Sequence, residues 1–289
     1  MRHLLCVGMG YSARALARRL GTLDWRITGS ATSAAGCDRV RWQGRDAVLF
    51  DGAKPSGDLA AAIATATHVV VSAAPGAEGD PLLRHHALTL AAAPNLVWIG
   101  YLSTVGVYGD HHGQWVDEET ELKPVSQRSR QRVAAEAAWF EFAARAKKHL
   151  QIFRLAGIYG PGRSAIDNLR DGSARRIIKS NQVFNRIHVE DIANVLDAAI
   201  HAPQPKHVIF NVTDDEPAPP QDVVEYAAKL LGMSVPPDIP FEQAPLSPMG
   251  LSFYGENKRV SNARIKTDLG VTLLYPTYRD GMAAIANAV

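Results

Sequence analysis

Glycines at 8 and 10 and a small residue at 13 are set in Gly8-Met9-Gly10-Tyr11-Ser12-Ala13. An apolar run, His3-Leu4-Leu5-Cys6-Val7, precedes them, and a segment with Ala13, Leu16, Ala17 and Leu20 at helical spacing follows. A bounded apolar run reads as a buried strand, and i, i+3, i+4, i+7 spacing as a helix. The chemistry such a strand–turn–helix serves is capture of a dinucleotide. Gly8 permits the tight turn, Gly10 lets the backbone approach a pyrophosphate, and Ala13 lets helix pack on strand. The helix start at Tyr11, Ser12 and Ala13 presents N–H groups and the positive dipole end to phosphate oxygens. A glycine-rich turn without a ligand is the competing reading.

Further hydroxylated, small and acidic residues follow apolar runs. Trp25–Ser30 reads as a second strand, at whose end an acidic residue would accept hydrogen bonds from the ribose of NAD. The residues there are Ser30, Ala31, Thr32 and Ser33. Without a carboxylate they leave room for a 2′-phosphate, with Arg14 or Arg39 as its partner, and this tilts the expected cofactor towards NADP. Ala47–Phe50, a third strand, ends at Asp51, a partner for an adenine amino group or simply a turn residue. His68–Ser72 reads as a fourth strand. Ser72, Ala73 and Ala74 at its end let the chain pass close to a flat cofactor.

The elements that must position these residues alternate along the chain. Pro81–Ala93 reads as a helix, Leu96–Tyr101 as a fifth strand, Ser129–Lys148 as a long helix and Gln151–Leu155 as a strand. Asp191–His201 reads as a helix and Val208–Val212 as a late strand. Near-continuous apolar strands between helices imply a parallel sheet covered on both faces, with ligands at the carboxyl ends of the strands. The long helix has two apolar seams. One is Val133, Ala137, Phe140 and Ala144, and the other is Ala135, Trp139, Phe142 and Ala146. One seam suits the sheet, and either a second subunit or the chain itself would cover the other. Beyond Asp214 the sequence is rich in proline, with one clear helix near Asp222–Leu231, as expected of a looser lobe over a substrate pocket.

Composition limits the alternatives. A chain of 289 residues with net charge +2 and no basic block is not expected to bind nucleic acid. Lys147-Lys148 reads as a solvated helix end. Two cysteines, Cys6 and Cys37, suggest reduced thiols rather than a disulfide framework. The opening strand leaves no room for a signal peptide, and no apolar run is long enough to span a membrane, so the expected location is cytoplasmic. His111, His112 and His188 form no metal-ligand pattern, and no metal is assigned.

Several blocks together resemble the extended short-chain dehydrogenase/reductase family, also called the NAD-dependent epimerase/dehydratase family. They are the opening turn, Leu102-Ser103-Thr104-Val105-Gly106-Val107-Tyr108-Gly109, Arg154 through Gly162, Ile187-His188-Val189-Glu190-Asp191-Ile192, and Phe210-Asn211-Val212 running to Asp215-Glu216-Pro217. The resemblance implies an α/β fold, a Rossmann-type doubly wound parallel sheet with a smaller C-terminal substrate lobe. It also implies NAD(P), a small-molecule substrate that is often a nucleotide-sugar, and a homodimer built on long helices. The Rossmann domain is expected over residues 1–165, with 183–212 returning to it. Residues 213–289, together with 166–182, are expected to form the lobe.

By position Thr104 matches the family's catalytic Ser/Thr. The opening turn is tighter than the usual G-x-x-G-x-x-G, and the catalytic Tyr-x-x-x-Lys is missing. Counting back from Glu136 puts Arg132 at the Lys position and Arg128 at the Tyr position. An arginine stays protonated and cannot exchange a proton in a catalytic cycle, although it can clamp an anion or stabilise an oxyanion. A solvated helix start is the plain alternative for both. The one Tyr-x-x-x-Lys, Tyr254 to Lys258, lies in the lobe; its expected state is a packed Tyr with Lys in solvent, and the alternative is that it faces the pocket, with Tyr254 as a catalytic candidate. The chain is thus expected to perform redox or epimerase chemistry on a small or nucleotide-linked hydroxyl or carbonyl substrate. The alternative is a non-catalytic NAD(P)-binding sensor or scaffold.

Overall fold

A computed structural model describes residues 1–202 and 208–288. In chain order the elements are β1 (Arg2–Val7), α1 (Tyr11–Leu20), β2 (Trp25–Ala31), α2 (Ala34–Arg41), β3 (Asp46–Leu49), α3 (Gly57–Thr65), β4 (His68–Val71), α4 (Pro81–Ala92), β5 (Trp98–Thr104) and β6 (Trp115–Val116). They continue with α5 (Gln127–Ala146), β7 (Leu150–Leu155), β8 (Gly157–Tyr159), α6 (Ala165–Arg170), β9 (Arg176–Ile178), β10 (Arg186–His188), α7 (Val189–His201) and β11 (Val208–Val212). The last are α8 (Pro220–Leu230), β12 (Asp238–Pro240), α9 (Pro248–Tyr254), β13 (Arg259–Val260), α10 (Ala263–Leu269) and α11 (Tyr278–Asn287).

The chain divides into two compact units. The first comprises Met1–Thr104, Gln127–Arg154 and Ile192–Phe210, and the second Val105–Ser126, Leu155–Asp191 and Asn211–Val289. A seven-stranded sheet of order β11-β7-β5-β4-β1-β2-β3 carries the first unit. Its pairs β1–β2, β1–β4, β2–β3 and β4–β5 are all parallel. The chain runs outward from β1 to β3 and then returns to β4 on the other side of β1. The carboxyl ends of β1 and β4 therefore flank the switch point, where such sheets leave a crevice for ligands. This is the expected doubly wound α/β, Rossmann-type sheet.

Leu5, Val7, Val69, Val71, Ile99 and Tyr101 pack with Leu59, Ile63 and Leu90 of flanking helices and with Trp139 of α5. The apolar strand runs thus end in one core. Within α5, Ala135, Trp139 and Ala143 are buried, as is Ser129. The seam through Ala135 and Trp139 is the one on the sheet. On the other seam Val133 and Phe140 are half-buried, and Ala137 and Ala144 are exposed. The helix stops at Ala146 because Lys147 takes a left-handed conformation, φ 53°. Lys148 is not simply solvated, since its Nζ donates to the carbonyl of Ala93 at 2.6 Å, just past the end of α4. Both cysteines are buried free thiols. Among the described residues no helix is long and apolar enough to cross a membrane.

The second unit has its own core, in which Tyr159, Ile166 and Leu169 pack with Val223, Ala227, Tyr278 and Met282. Three parallel two-stranded ladders, β8–β10, β9–β12 and β6–β13, lie in it. Each strand has only two or three residues, too few for alternation to reveal in the sequence.

Candidate active site

The opening turn is built as its residues demand. Gly8 takes φ +91°, where a Cβ would also stand 3.1 Å from the Ala73 nitrogen and from Ser72 Oγ. Its N–H donates to Ser30 Oγ at 2.8 Å, and its carbonyl accepts from the Ser72 hydroxyl at 2.8 Å. Met9 N–H donates to the Ser30 carbonyl at 2.8 Å. The ends of β1, β2 and β4 are thereby fixed to one another. Gly10 is the N-cap of α1, in extended backbone, and no side chain caps this helix start. The first-turn N–H groups of a helix lack intrahelical partners and favour an anion. Small residues, Gly8, Gly10, Ser72 and Ala73, line the space before it. The site can accept an anionic group lying against backbone.

The remaining strand-end residues are less convergent. Ser30 is buried, with its oxygens committed to the turn. Thr32 and Ala74 are exposed, Tyr11 is half-buried, and Ser12 and Ala13 are buried in the first turn of α1. Ser33 caps α2 by accepting from Gly36 N–H at 3.2 Å. Arg39 is exposed on that helix and Arg14 half-buried on α1. Asp51 uses a carboxylate oxygen to accept from Ala53 N–H at 2.9 Å, a local turn.

At the end of β5, Thr104 is half-buried. Arg132 is turned onto this strand, donating through one guanidinium nitrogen to the Tyr101 hydroxyl at 2.9 Å and to the Leu102 carbonyl at 3.0 Å. Burial pushes the Tyr101 phenol well above the ordinary tyrosine range, against the opposing pull of Arg132. Arg128, one turn earlier, is exposed. Arg132 is thus held at the strand end by two hydrogen bonds.

Sequence reasoning missed the buried polar cluster beside it. Glu136 and Arg154 form an ion pair at 2.8 Å with both side chains about 4% exposed, and the Ser103 hydroxyl donates to Glu136. Strand alternation places Tyr101 and Ser103 on one face of β5, towards α5. The available signal was an arginine inside the apolar run Gln151–Leu155, which burial obliges to find a carboxylate. Asp80 caps α4, its Oδ1 accepting from Leu82 and Leu83 N–H. Burial pushes its carboxyl up, and hydrogen bonds and nearby Arg132 oppose this.

Tyr254 belongs to the second unit. It ends α9, is buried, and packs edge-on against Phe184 at 5.1 Å. Burial raises its phenol pKa and Arg186 opposes the rise. Lys258 is not in solvent as expected. It is 5% exposed, its Nζ donating to the Gly109 carbonyl at 2.8 Å and binding Glu256 at 2.7 Å. It lies outside α9, because that helix ends at Tyr254, so the spacing of four does not stack the pair as on one helix. A cavity of about 160 Å³ is lined by Tyr254, Lys179, Asp110 and Glu256, and one of about 510 Å³ by Lys179, Arg259 and a set of amides.

Comparison with known proteins gives the family and the fold. The family described as "NAD dependent epimerase/dehydratase family" matches residues 8–213. Protein YeeZ of Escherichia coli strain K12 is 29% identical over 286 residues, 96% of this chain and 97% of YeeZ. The structure of a conserved protein of unknown function from Silicibacter pomeroyi DSS is 48% identical with a TM-score of 0.90, covering 100% of this chain and 99% of that one. UDP-glucuronic acid 4-epimerase from Bacillus cereus, solved with UDP-glucuronic acid and NAD, is 18% identical with a TM-score of 0.78. It covers 99% of this chain and 98% of that one, and at such identity the likeness is one of fold.

Proposed function

The chain belongs to the NAD-dependent epimerase/dehydratase family, and from that premise we propose that it binds NADP in preference to NAD at the Gly8–Ala13 turn. On this reading it performs redox or epimerase chemistry on a hydroxyl or carbonyl group of a small or nucleotide-linked substrate. The observation that carries the proposal is the start of α1, which no side chain caps and which follows Gly8 and Gly10 beside Ser72 and Ala73. These residues fit a diphosphate, and α1 supplies N–H donors to it. Bound, the cofactor supplies hydride acceptance and return. Ser72, Ala73 and Ala74 would border it, and Thr32 and Asp51, which follow the outer strands β2 and β3, would be the residues for its ribose and adenine. The preference for NADP is supported by the run Ala31-Thr32-Ser33 at the end of β2, which has no carboxylate, with Arg14 of α1 and Arg39 of α2 as the partners proposed for a 2′-phosphate.

Thr104 is assigned the role of orienting the substrate oxygen by a hydrogen bond. Arg128, exposed at the start of α5, suits an anionic substrate group. Arg132 keeps a fixed positive charge at the end of β5 without exchanging a proton. A proton donor is then needed from elsewhere, and Tyr254 is the first candidate, with Thr104 the second. The test is to screen the unaltered protein against carbonyl and nucleotide-sugar substrates while following NADPH absorbance, alongside Tyr254→Phe and Thr104→Val. Turnover that falls in either variant supports the assignment. Binding of NADPH without turnover on any substrate favours a sensor or scaffold, a reading that the absent Tyr–Lys pair also supports.

A further inference from the structure

The larger cavity lies wholly within the second unit and has an unusual charge balance. Lys179 and Arg259 both line it, and no Asp or Glu does. Both are half-buried. Each is tied to backbone, Lys179 to the Tyr254 carbonyl and Arg259 to the Gly113 carbonyl. Lys179 also stands over the Phe241 ring, 5.0 Å from its centre. Among the described residues neither has a carboxylate within salt-bridge distance. The acids of the adjoining smaller cavity are otherwise engaged. Asp110 accepts from Asn257 N–H at 2.9 Å and lies 3.0 Å from His112, and Glu256 holds Lys258. Two partly desolvated cations without a counter-charge are costly, and an anion between them removes that cost.

The rest of the lining says what the anion is attached to. Gln114, Ser180, Asn181 and Gln221 offer amides and a hydroxyl, and Gln221 Oε1 is buried without a hydrogen-bond partner. A buried acceptor calls for a donor, and a ligand hydroxyl is one. No Phe, Tyr or Trp lines the cavity, and His112 is the one aromatic ring in its lining, so it offers a nucleobase a poorer stacking platform than a polyhydroxy group finds in its amides.

We propose that this cavity binds a small polyhydroxy anion, a sugar phosphate or sugar acid, between Lys179 and Arg259. As a substrate site it rests on the function proposed above, and as a binding site it stands on its own lining. The test is calorimetric titration of the full chain with glucose 6-phosphate, gluconate, neutral glucose, inorganic phosphate and UMP. At least one of the two anionic sugars should bind about tenfold or more tighter than glucose, and UMP no tighter than inorganic phosphate. The tighter of the two sugars tells phosphate from carboxylate recognition. Lys179→Gln and Arg259→Gln keep a donor for the backbone carbonyl and remove the charge. Each should weaken anion binding about tenfold, while Lys179→Arg and Arg259→Lys stay close to the unaltered protein. Melting temperature and NADPH affinity should not move. Anions binding no better than glucose, Gln variants as tight as the unaltered chain, or UMP preferred over phosphate would each overturn the proposal. Loss of NADPH binding with anion binding intact would instead refute only the cofactor reading.

Discussion

Arg132 donates to the hydroxyl of Tyr101 at 2.9 Å, across from α5 to β5. The Arg132 guanidinium is thus held by a buried phenol and by the Leu102 carbonyl. It also stacks on the Tyr101 ring, 5.5 Å from its centre. Removing it leaves both acceptors, the phenol and the Leu102 carbonyl, short of a partner. Arg132→Met should therefore lower stability by about 1–3 kcal/mol, measured by urea unfolding. An unchanged midpoint would show that this contact does not hold the strand end.

A larger loss is expected one turn further along α5. Glu136 takes Arg154 and Ser103 in a site closed to solvent, so Glu136→Ala leaves a buried guanidinium uncompensated. Breaking such a pair costs about 3–5 kcal/mol. Urea unfolding should show the loss, and Glu136→Gln, which keeps one acceptor oxygen but replaces the other with an NH2 donor and removes the charge, should fall between. A cost under about 1 kcal/mol would place the pair with solvated surface bridges.

Acid sensitivity should come in part from His188. It is 2% exposed, and its Nδ1 accepts from Glu190 N–H at 3.2 Å, which requires the neutral ring. Burial lowers its pKa to about 4, with Glu190 opposing. The unfolded chain thus takes up the proton first. Stability from this residue is full above about pH 6.5 and lost as pH falls towards 4, by up to about 3 kcal/mol. Chemical unfolding at several pH values should show that loss reduced in His188→Gln. Equal slopes for the two proteins would contradict it.

The half-exposed seam of α5 carries a prediction about assembly. Sedimentation at micromolar concentration should show a dimer, and Ala137→Glu on that seam should shift it to monomer. A monomeric unaltered chain would mean that the seam faces solvent.

The sheet was largely legible in the sequence because buried parallel strands are apolar throughout and the opening turn needs glycine. The long helix shifted by two residues at each end, since Lys147 stops it with a backbone conformation that residue type does not announce. Gly8 and Gly10 stand where the motif implies. Ser30 is buried and accepts from the Gly8 N–H, a tie between two strand ends that its place in the motif does not announce. The Arg154–Glu136–Ser103 cluster and the burial of Lys258 depend on residues far apart in sequence, and spacing carries no trace of such partners. The cavity with Lys179 and Arg259 is assembled from short ladders and loops, whose strands are too brief to show a period.

The turn at Gly8–Ala13 is the proposed seat of the cofactor. Gly10 is in extended backbone, and a Cβ there would meet only Ser72 Oγ, at 3.7 Å, an ordinary contact. Aspartate is also a good N-cap residue, so Gly10→Asp should fold as well as the unaltered chain. It would nevertheless place a negative charge where phosphate is proposed to sit. The decisive measurement is fluorescence titration of both proteins with NADPH and NADH. The unaltered chain should bind NADPH more tightly than NADH, and the variant should lose at least about 100-fold in affinity for either. Equal affinity in the folded variant, or no binding by the unaltered chain, would contradict the account.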